Sequence, residues 1–168
     1  KELEDYTDLE VVHAWKIEKP LKKAIYETKK VQVRNDMDAM RKAGVSLRPT
    51  YTALDNCGLP QLDEGVNERR LLTGTKPEFV HAILQNGIDP RFCSGLFGQG
   101  AYLAENPSKV DQYCTADWDD ISELQEILYA KNGLRHPGKV FYCFVVQVAI
   151  GAAIHTKDGE TDLQKRLS

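Results

Sequence analysis

No run of apolar residues in this chain is long enough to cross a bilayer: the longest, from Val140 to Ile154, is interrupted by Gln147 and Gly151. A membrane span is therefore not expected, and no apolar signal segment opens the chain. An excess of positive charge is also missing. Lys plus Arg number 22 against 25 for Asp plus Glu, a formal net charge of −3, which argues against a dedicated nucleic-acid binder. Basic residues do gather between Lys16 and Arg48, but Lys22, Lys23, Lys29, Lys30 and Arg34 fit the wet face of an amphipathic helix. Cys57, Cys93, Cys114 and Cys143 are scattered, with no C-x-x-C pair and no His at ligand spacing. No metal site is expected from them, and thiols in a reducing, intracellular compartment are. The first residue is Lys1 instead of Met, from which a fragment or a processed form is expected.

With 168 residues, 42% of them hydrophobic and 28% charged, the composition is that of one globular domain, 1–168, able to bury a sizeable core. Leu9, Val11, His13, Trp15 and Ile17 alternate with mostly polar neighbours, which predicts a half-buried strand with His13 as a packed side chain. Pro20 suits a first helical turn, and Leu21, Ile25, Thr28, Val31 or Gln32, and Asn35 form a stripe, so strand and helix occupy 9–42. Gly44, Pro49, Gly58, Pro60 and Gly65 punctuate a long connection over 43–66. Leu71-Leu72 is short enough for a buried strand after the charged Asn67-Glu68-Arg69-Arg70.

Thr75-Lys76-Pro77-Glu78 matches a capping box and predicts a helix over 76–86, with Phe79, Val80, Ile83 and Leu84 inward, His81 exposed and Asn86-Gly87 as the stop. Asn106-Pro107 opens a short helix carrying Val110 and Tyr113 on one side, and a further helix is expected over 119–131. Val140 to Ile150 is the most strand-like segment, so a helix and a central strand fill 119–150. Strands and helices mix without βαβ alternation, which makes the class α+β.

Gly95-Leu96-Phe97-Gly98-Gln99-Gly100 is a glycine-rich loop that would let backbone approach a ligand. No Gly-Lys-Ser/Thr follows, so it is not a P-loop, and the strand-like Ala101-Tyr102-Leu103-Ala104 after it excludes the usual dinucleotide fingerprint.

The combination is more specific than its parts. A strand ends in Thr73-Gly74-Thr75 at a helix start; the Gly loop, a segment with Tyr102 and a helix with Tyr113 follow over 67–114. This resembles the PARP-type, diphtheria-toxin-like ADP-ribosyltransferase family. Its pattern is His-Gly-Thr or His-Gly-Ser, then Gly-x-Gly-x-Tyr, then Ser-Lys-Ser and a second Tyr at the spacing that separates Tyr102 from Tyr113. Trp15 to Arg34 looks like the family's opening strand and helix, and His136-Pro137-Gly138 leads into its central strand, so the resemblance covers nearly the whole chain.

The resemblance implies a fold of mixed or antiparallel sheets with flanking helices, and NAD as the substrate. Thr73, Gly74, Thr75, Gly100, Ala101, Tyr102, Lys109, Val110 and Tyr113 would line the NAD pocket. Gly74 would offer its N–H and C=O to the nicotinamide carboxamide, and Tyr102, the implied catalytic-site tyrosine, and Tyr113 would sandwich the ring. Cleavage at the ribose carbon would pass through an oxocarbenium-like transition state, and an acceptor nucleophile would take the ADP-ribosyl group.

Three departures bear on this. Thr73 stands where the family has His, and Val110 where it has the second serine of Ser-Lys-Ser. The family's last glutamate lies on a strand after the central one, and this sequence stops at Ser168 after a charged tail, so that residue and the C-terminal strands are not assigned. Glu160 in its turn-like Lys157-Asp158-Gly159-Glu160 reads as a solubility residue, and Glu105 as a looser candidate on the acceptor side. Two readings stay open: a transferase delivering a single ADP-ribosyl unit, to a protein acceptor or a nucleic-acid end, and a catalytically silent relative with a binding or structural role in an assembly.

Overall fold

The computed structural model describes residues 9–154 apart from 48, 51, 53, 55–57, 96 and 97. Cys57 and the Lys157–Glu160 turn lie outside the described residues. Helix α1 spans Pro20–Lys42, with Pro20 in the first turn and Arg41 and Lys42 in the last, where cations suit the carbonyl end of the helix dipole. Strand β1 (Glu68–Thr75) leads into α2 (Pro77–Asn86), which stops at Gly87 with φ +76. A small ribbon of β2 (Ser94–Gly95) and β3 (Gly98–Gln99) precedes the short α3 (Pro107–Asp111). Next, α4 (Ser122–Leu124) runs on through a π-helical turn over Gln125–Tyr129 and a tight turn over Ala130–Asn132. Strand β4 (Tyr142–Ala149) closes the order.

β1 and β4 pair antiparallel, from Glu68 opposite Ala149 to Thr75 opposite Tyr142. Leu72 also bridges Ala104 on the other edge of β1, and Asp117 bridges Val140. The class is α+β, with helices around a small antiparallel sheet. One face of the sheet carries a cluster of Val80, Leu124, Leu128, Tyr129, Val140 and Tyr142, with Trp15 and Phe144 against it. The other carries Leu72, Val110 and Cys114, flanked by Leu54 and Ala104. Each apolar side chain buried in these clusters contributes about 1.5–3 kcal/mol relative to exposure. Beneath the first cluster, Asp117 accepts from Tyr142 Oη at 2.6 Å and lies 3.3 Å from His136 Nε2. Tyr129 and Tyr142 hydroxyls meet at 3.2 Å.

Several expectations are corrected here. Residues 9–17 form no strand; His13 and Trp15 pack around Tyr129, while Leu9, Val11 and Ile17 are exposed. The alternation is real, but among the described residues no neighbouring strand supplies the hydrogen bonds that would make a ladder. On α1 the apolar stripe Leu21, Ile25 and Val31 faces water, and Tyr26, Lys30, Val33, Arg34 and Met37 face inward. The reason is electrostatic. Glu68 takes Tyr26 Oη at 2.5 Å and Lys30 Nζ at 3.4 Å, while Arg34 pairs with Asp63.

The charged residues before Leu71 belong to β1 itself and are buried: Arg69 is held bidentately by Glu64 at 3.0 and 2.9 Å, and Arg70 donates to the Pro60 carbonyl. Thr75 does not cap α2. It is held in register with Tyr142, so Lys76 becomes the cap residue without a side-chain bond, and Pro77 starts the helix. Phe79 is exposed, and His81 is half-buried, bonded to Glu123 at 2.7 Å and Gln85 at 2.6 Å. The helix expected over 119–131 begins at Ser122, because Asp119 holds a left-handed φ of +71.

Candidate active site

Gly74 is the centre of the arrangement. Leu72 exchanges both backbone bonds with Ala104, at 2.7 and 2.8 Å, so its N–H and C=O point away from β4. Along a strand these groups alternate between edges, and those of Gly74, two residues on, point to the same side as those of Leu72. Continuing the antiparallel register by two residues on each segment brings Tyr102 level with Gly74. The two segments have parted there, since the contact is an isolated bridge at Leu72 and Ala104. The N–H and C=O of Gly74 thus point toward the Tyr102 segment without a ladder bond to it, an orientation in which a carboxamide could pair with one N–H and one C=O.

Gly74 is also pressed by α3. A Cβ placed on it would lie 2.5 Å from Cys114 Sγ, 2.6 Å from the Val110 carbonyl oxygen and 2.9 Å from Val110 Cγ1. Helix packing alone therefore demands glycine here, in addition to any ligand. α3 is itself set by Asn106, whose side chain accepts from the Ser108 amide at 2.9 Å, with Pro107 in the first turn. Val110 is buried, whereas Tyr113, one turn later, is 56% exposed with Lys109 Nζ 5.5 Å from its ring centre.

Tyr102 is held from below. Its hydroxyl donates to the Gly98 carbonyl at 2.7 Å, and its ring lies over Gly95, where a Cβ would come within 2.7 Å of Cζ. Gly98, at φ +94, makes the tight turn that presents this carbonyl.

The other sequence-derived residues fall around this centre unevenly. Thr73 is half-buried, opposite Phe144, and Thr75 half-buried, opposite Tyr142. Gly100 donates its amide to the Cys93 carbonyl at 3.1 Å. Ala101 is turned away from the Gly74 edge: with Leu103, Val146 and Val148 it lines a cavity of about 300 Å³ roofed by Tyr26, Lys29 and Lys30 of α1. That cavity touches none of Gly74, Tyr102, Val110 or Tyr113 and is separate from the site. Glu105 is exposed. Sequence reasoning missed Cys114 and Cys143, which border Gly74 from the helix and from β4, and the seat that Gly95 makes for Tyr102. The Gly95 seat had a signal in the glycine-rich loop; the cysteines had none.

Among the described residues no helix is long and apolar enough to cross a membrane. The model of the poly(ADP-ribose) polymerase catalytic domain family matches residues 2–166. That match spans the strand edge at Gly74, the helix packed on it and both tyrosines, and the chain belongs to the PARP catalytic domain family.

Proposed function

We propose that the chain binds NAD at the Gly74 edge and transfers a single ADP-ribosyl unit to a protein acceptor with release of nicotinamide. The observation that carries this reading is the outward N–H and C=O of Gly74, level with Tyr102 and backed by α3. Nicotinamide bound there by its carboxamide would lie between Tyr102 and Tyr113. The bond between the ribose carbon and the ring nitrogen breaks, its electron pair leaving with nicotinamide. The acceptor nucleophile then bonds to that carbon and gives up its proton. Lys109, over the Tyr113 ring, adds positive charge at the mouth, where the NAD pyrophosphate or an acidic acceptor would pass.

A second reading, a silent module with a partner-binding role in an assembly, is favoured by two specific features. Val110 fills the position of the family's hydroxyl with a buried apolar group, and Thr73 has no hydrogen-bond partner for its hydroxyl among the described residues. Each lost neutral bond costs about 1 kcal/mol, which weakens binding several-fold without abolishing it.

The test is a calorimetric titration with NAD to millimolar concentration, with Tyr113→Ala as the control. Tyr113 is exposed, so its truncation removes a stacking face without disturbing the core, and affinity should fall about tenfold. Saturable heat weakened in the control, followed by an acceptor gaining one ADP-ribosyl unit on incubation with NAD, supports the transferase. Binding without transfer supports the silent module, and no binding by the folded protein overturns the NAD site.

A further inference from the structure

Two thiols border the Gly74 edge from different elements. Gly74 is opposite Cys143 in the β1–β4 register, and cross-strand partners turn their side chains to the same face. Because Leu72 spends its backbone bonds on Ala104, the positions of Leu72 and Gly74 are the non-hydrogen-bonded ones of the β1–β4 ladder. At such positions opposing Cα atoms approach to about 4.5 Å. From above the same face, Cys114 Sγ reaches within 2.5 Å of where a Gly74 Cβ would be, and it donates to the Tyr142 carbonyl at 3.5 Å. Tyr142 immediately precedes Cys143. The sulfur of Cys114 therefore sits over Gly74 beside the Tyr142 carbonyl, in space left empty by the absent side chain of Gly74 and on the face to which Cys143 also turns.

The two thiols differ in access. Cys143 is exposed, its Sγ directed to the Phe144 carbonyl at 3.8 Å, whereas Cys114 is buried. We infer that Cys114 and Cys143 form a peroxide-sensitive thiol pair whose disulfide moves Tyr113 and so closes the Gly74 site. The exposed Cys143 thiolate attacks hydrogen peroxide, breaking the O–O bond to give a sulfenic acid and hydroxide. Cys114 sulfur then attacks the Cys143 sulfur; the S–O bond breaks, and the departing hydroxide leaves as water with the Cys114 proton. One peroxide oxidises two thiols and yields two waters.

Making the bond takes Cys114 off its seat over Gly74 and toward β4. Tyr113 is the preceding residue, and its amide bonds the Val110 carbonyl at 3.0 Å, so the turn that follows α3 is drawn with it. A ring placed to cover nicotinamide is thereby shifted. This consequence for NAD rests on the function proposed above, whereas the thiol pair itself does not. Although the side chain reaches solvent, partial desolvation by its neighbours holds the Cys143 thiol above its ordinary range, partly offset by the Thr73 backbone, so attack on peroxide is slow at neutral pH and quickens as pH rises.

The experiment treats the whole protein with hydrogen peroxide, maps peptides without reduction, and titrates NAD before and after, with dithiothreitol reversal. The expected result is a cross-link between the peptides of Cys114 and Cys143 that persists in Cys57→Ser and Cys93→Ser and vanishes in Cys143→Ser. NAD affinity should fall about tenfold on oxidation and return with dithiothreitol, and Cys143→Ser should be insensitive to peroxide. Cys114 joined to Cys57 or Cys93, or Cys143 oxidised with Cys114 still reduced, overturns the pair. A correct cross-link with unchanged NAD affinity overturns the closure. If the reduced protein does not bind NAD at all, the function proposed above fails, and the cross-link alone decides the pair.

Discussion

Val110 closes on Gly74: its carbonyl oxygen and Cγ1 lie 2.6 and 2.9 Å from the point a Gly74 Cβ would occupy. Gly74 thus lets α3 sit directly on the strand backbone, and under the proposed function it also leaves the strand edge open to nicotinamide. Substitution should therefore disturb stability as well as binding.

Gly74→Ala is expected to cost about 1–3 kcal/mol of stability, the usual penalty for overpacking, because its methyl group meets backbone and a buried sulfur that have little room to yield. Urea unfolding followed by far-UV circular dichroism measures this. A variant as stable as the parent would mean that α3 does not rest on Gly74.

Val110→Ser puts a hydroxyl back beside the carboxamide position. NAD affinity should rise about fivefold, one neutral hydrogen bond, while stability falls by about 1–2 kcal/mol from lost apolar burial. Calorimetry and urea titration read the two effects separately. Unchanged affinity would show that the carboxamide does not sit against α3.

Gly95→Ala should displace the Tyr102 ring, which lies where the new methyl would go, and weaken NAD binding at least tenfold. Tyr102→Phe should do far less, since it loses one bond to the Gly98 carbonyl, about 1 kcal/mol, and keeps the ring. If the two variants bind NAD equally well, Tyr102 is not part of the pocket wall.

The acid side of the stability profile should carry a contribution from Glu68. Burial works to raise its pKa, but hydrogen bonds from Tyr26, the Asp63 amide and Gln147 and the charge of Lys30 outweigh it and hold the carboxyl below its ordinary value of 4.5. A depressed carboxylate stabilises the fold above the unfolded-state value and loses that contribution as pH falls through the folded-state value. The parent should therefore lose stability below about pH 4.5 more steeply than Glu68→Gln, as thermal melts between pH 3 and 7 would show. Parallel curves for the two proteins would remove Glu68 as a source of acid sensitivity.

Local rules carried much of the reading where one residue type had one conformational use. Pro20 opened α1 where expected, Asn106-Pro107 opened α3, and Asn86-Gly87 stopped α2 with the left-handed φ that glycine tolerates. The order Thr73-Gly74-Thr75, Gly98 to Tyr102, Tyr113 identified the family because that order is local and linear. Reading failed where a partner distant in sequence decided. Lys30 and Arg34 look solvated until Asp63 and Glu68 are brought beside them, and the stripe of Leu21, Ile25 and Val31 looks buried until the acidic groups claim the opposite side of α1. Thr75 resembles a helix cap until Tyr142 holds it in the ladder.

By itself, then, the sequence determined the family, the α+β class and the place of Gly74 in the motif, because turn chemistry, capping and motif spacing are local properties. Only the tertiary structure decided what Gly74 touches. Leu72 bonding Ala104 turns the free backbone groups outward, α3 folds back to seat Val110 and Cys114 on the glycine, and β4 sets Cys143 opposite it. Those contacts join residues far apart along the chain, and their geometry comes from register and packing, which the local pattern of residues does not encode.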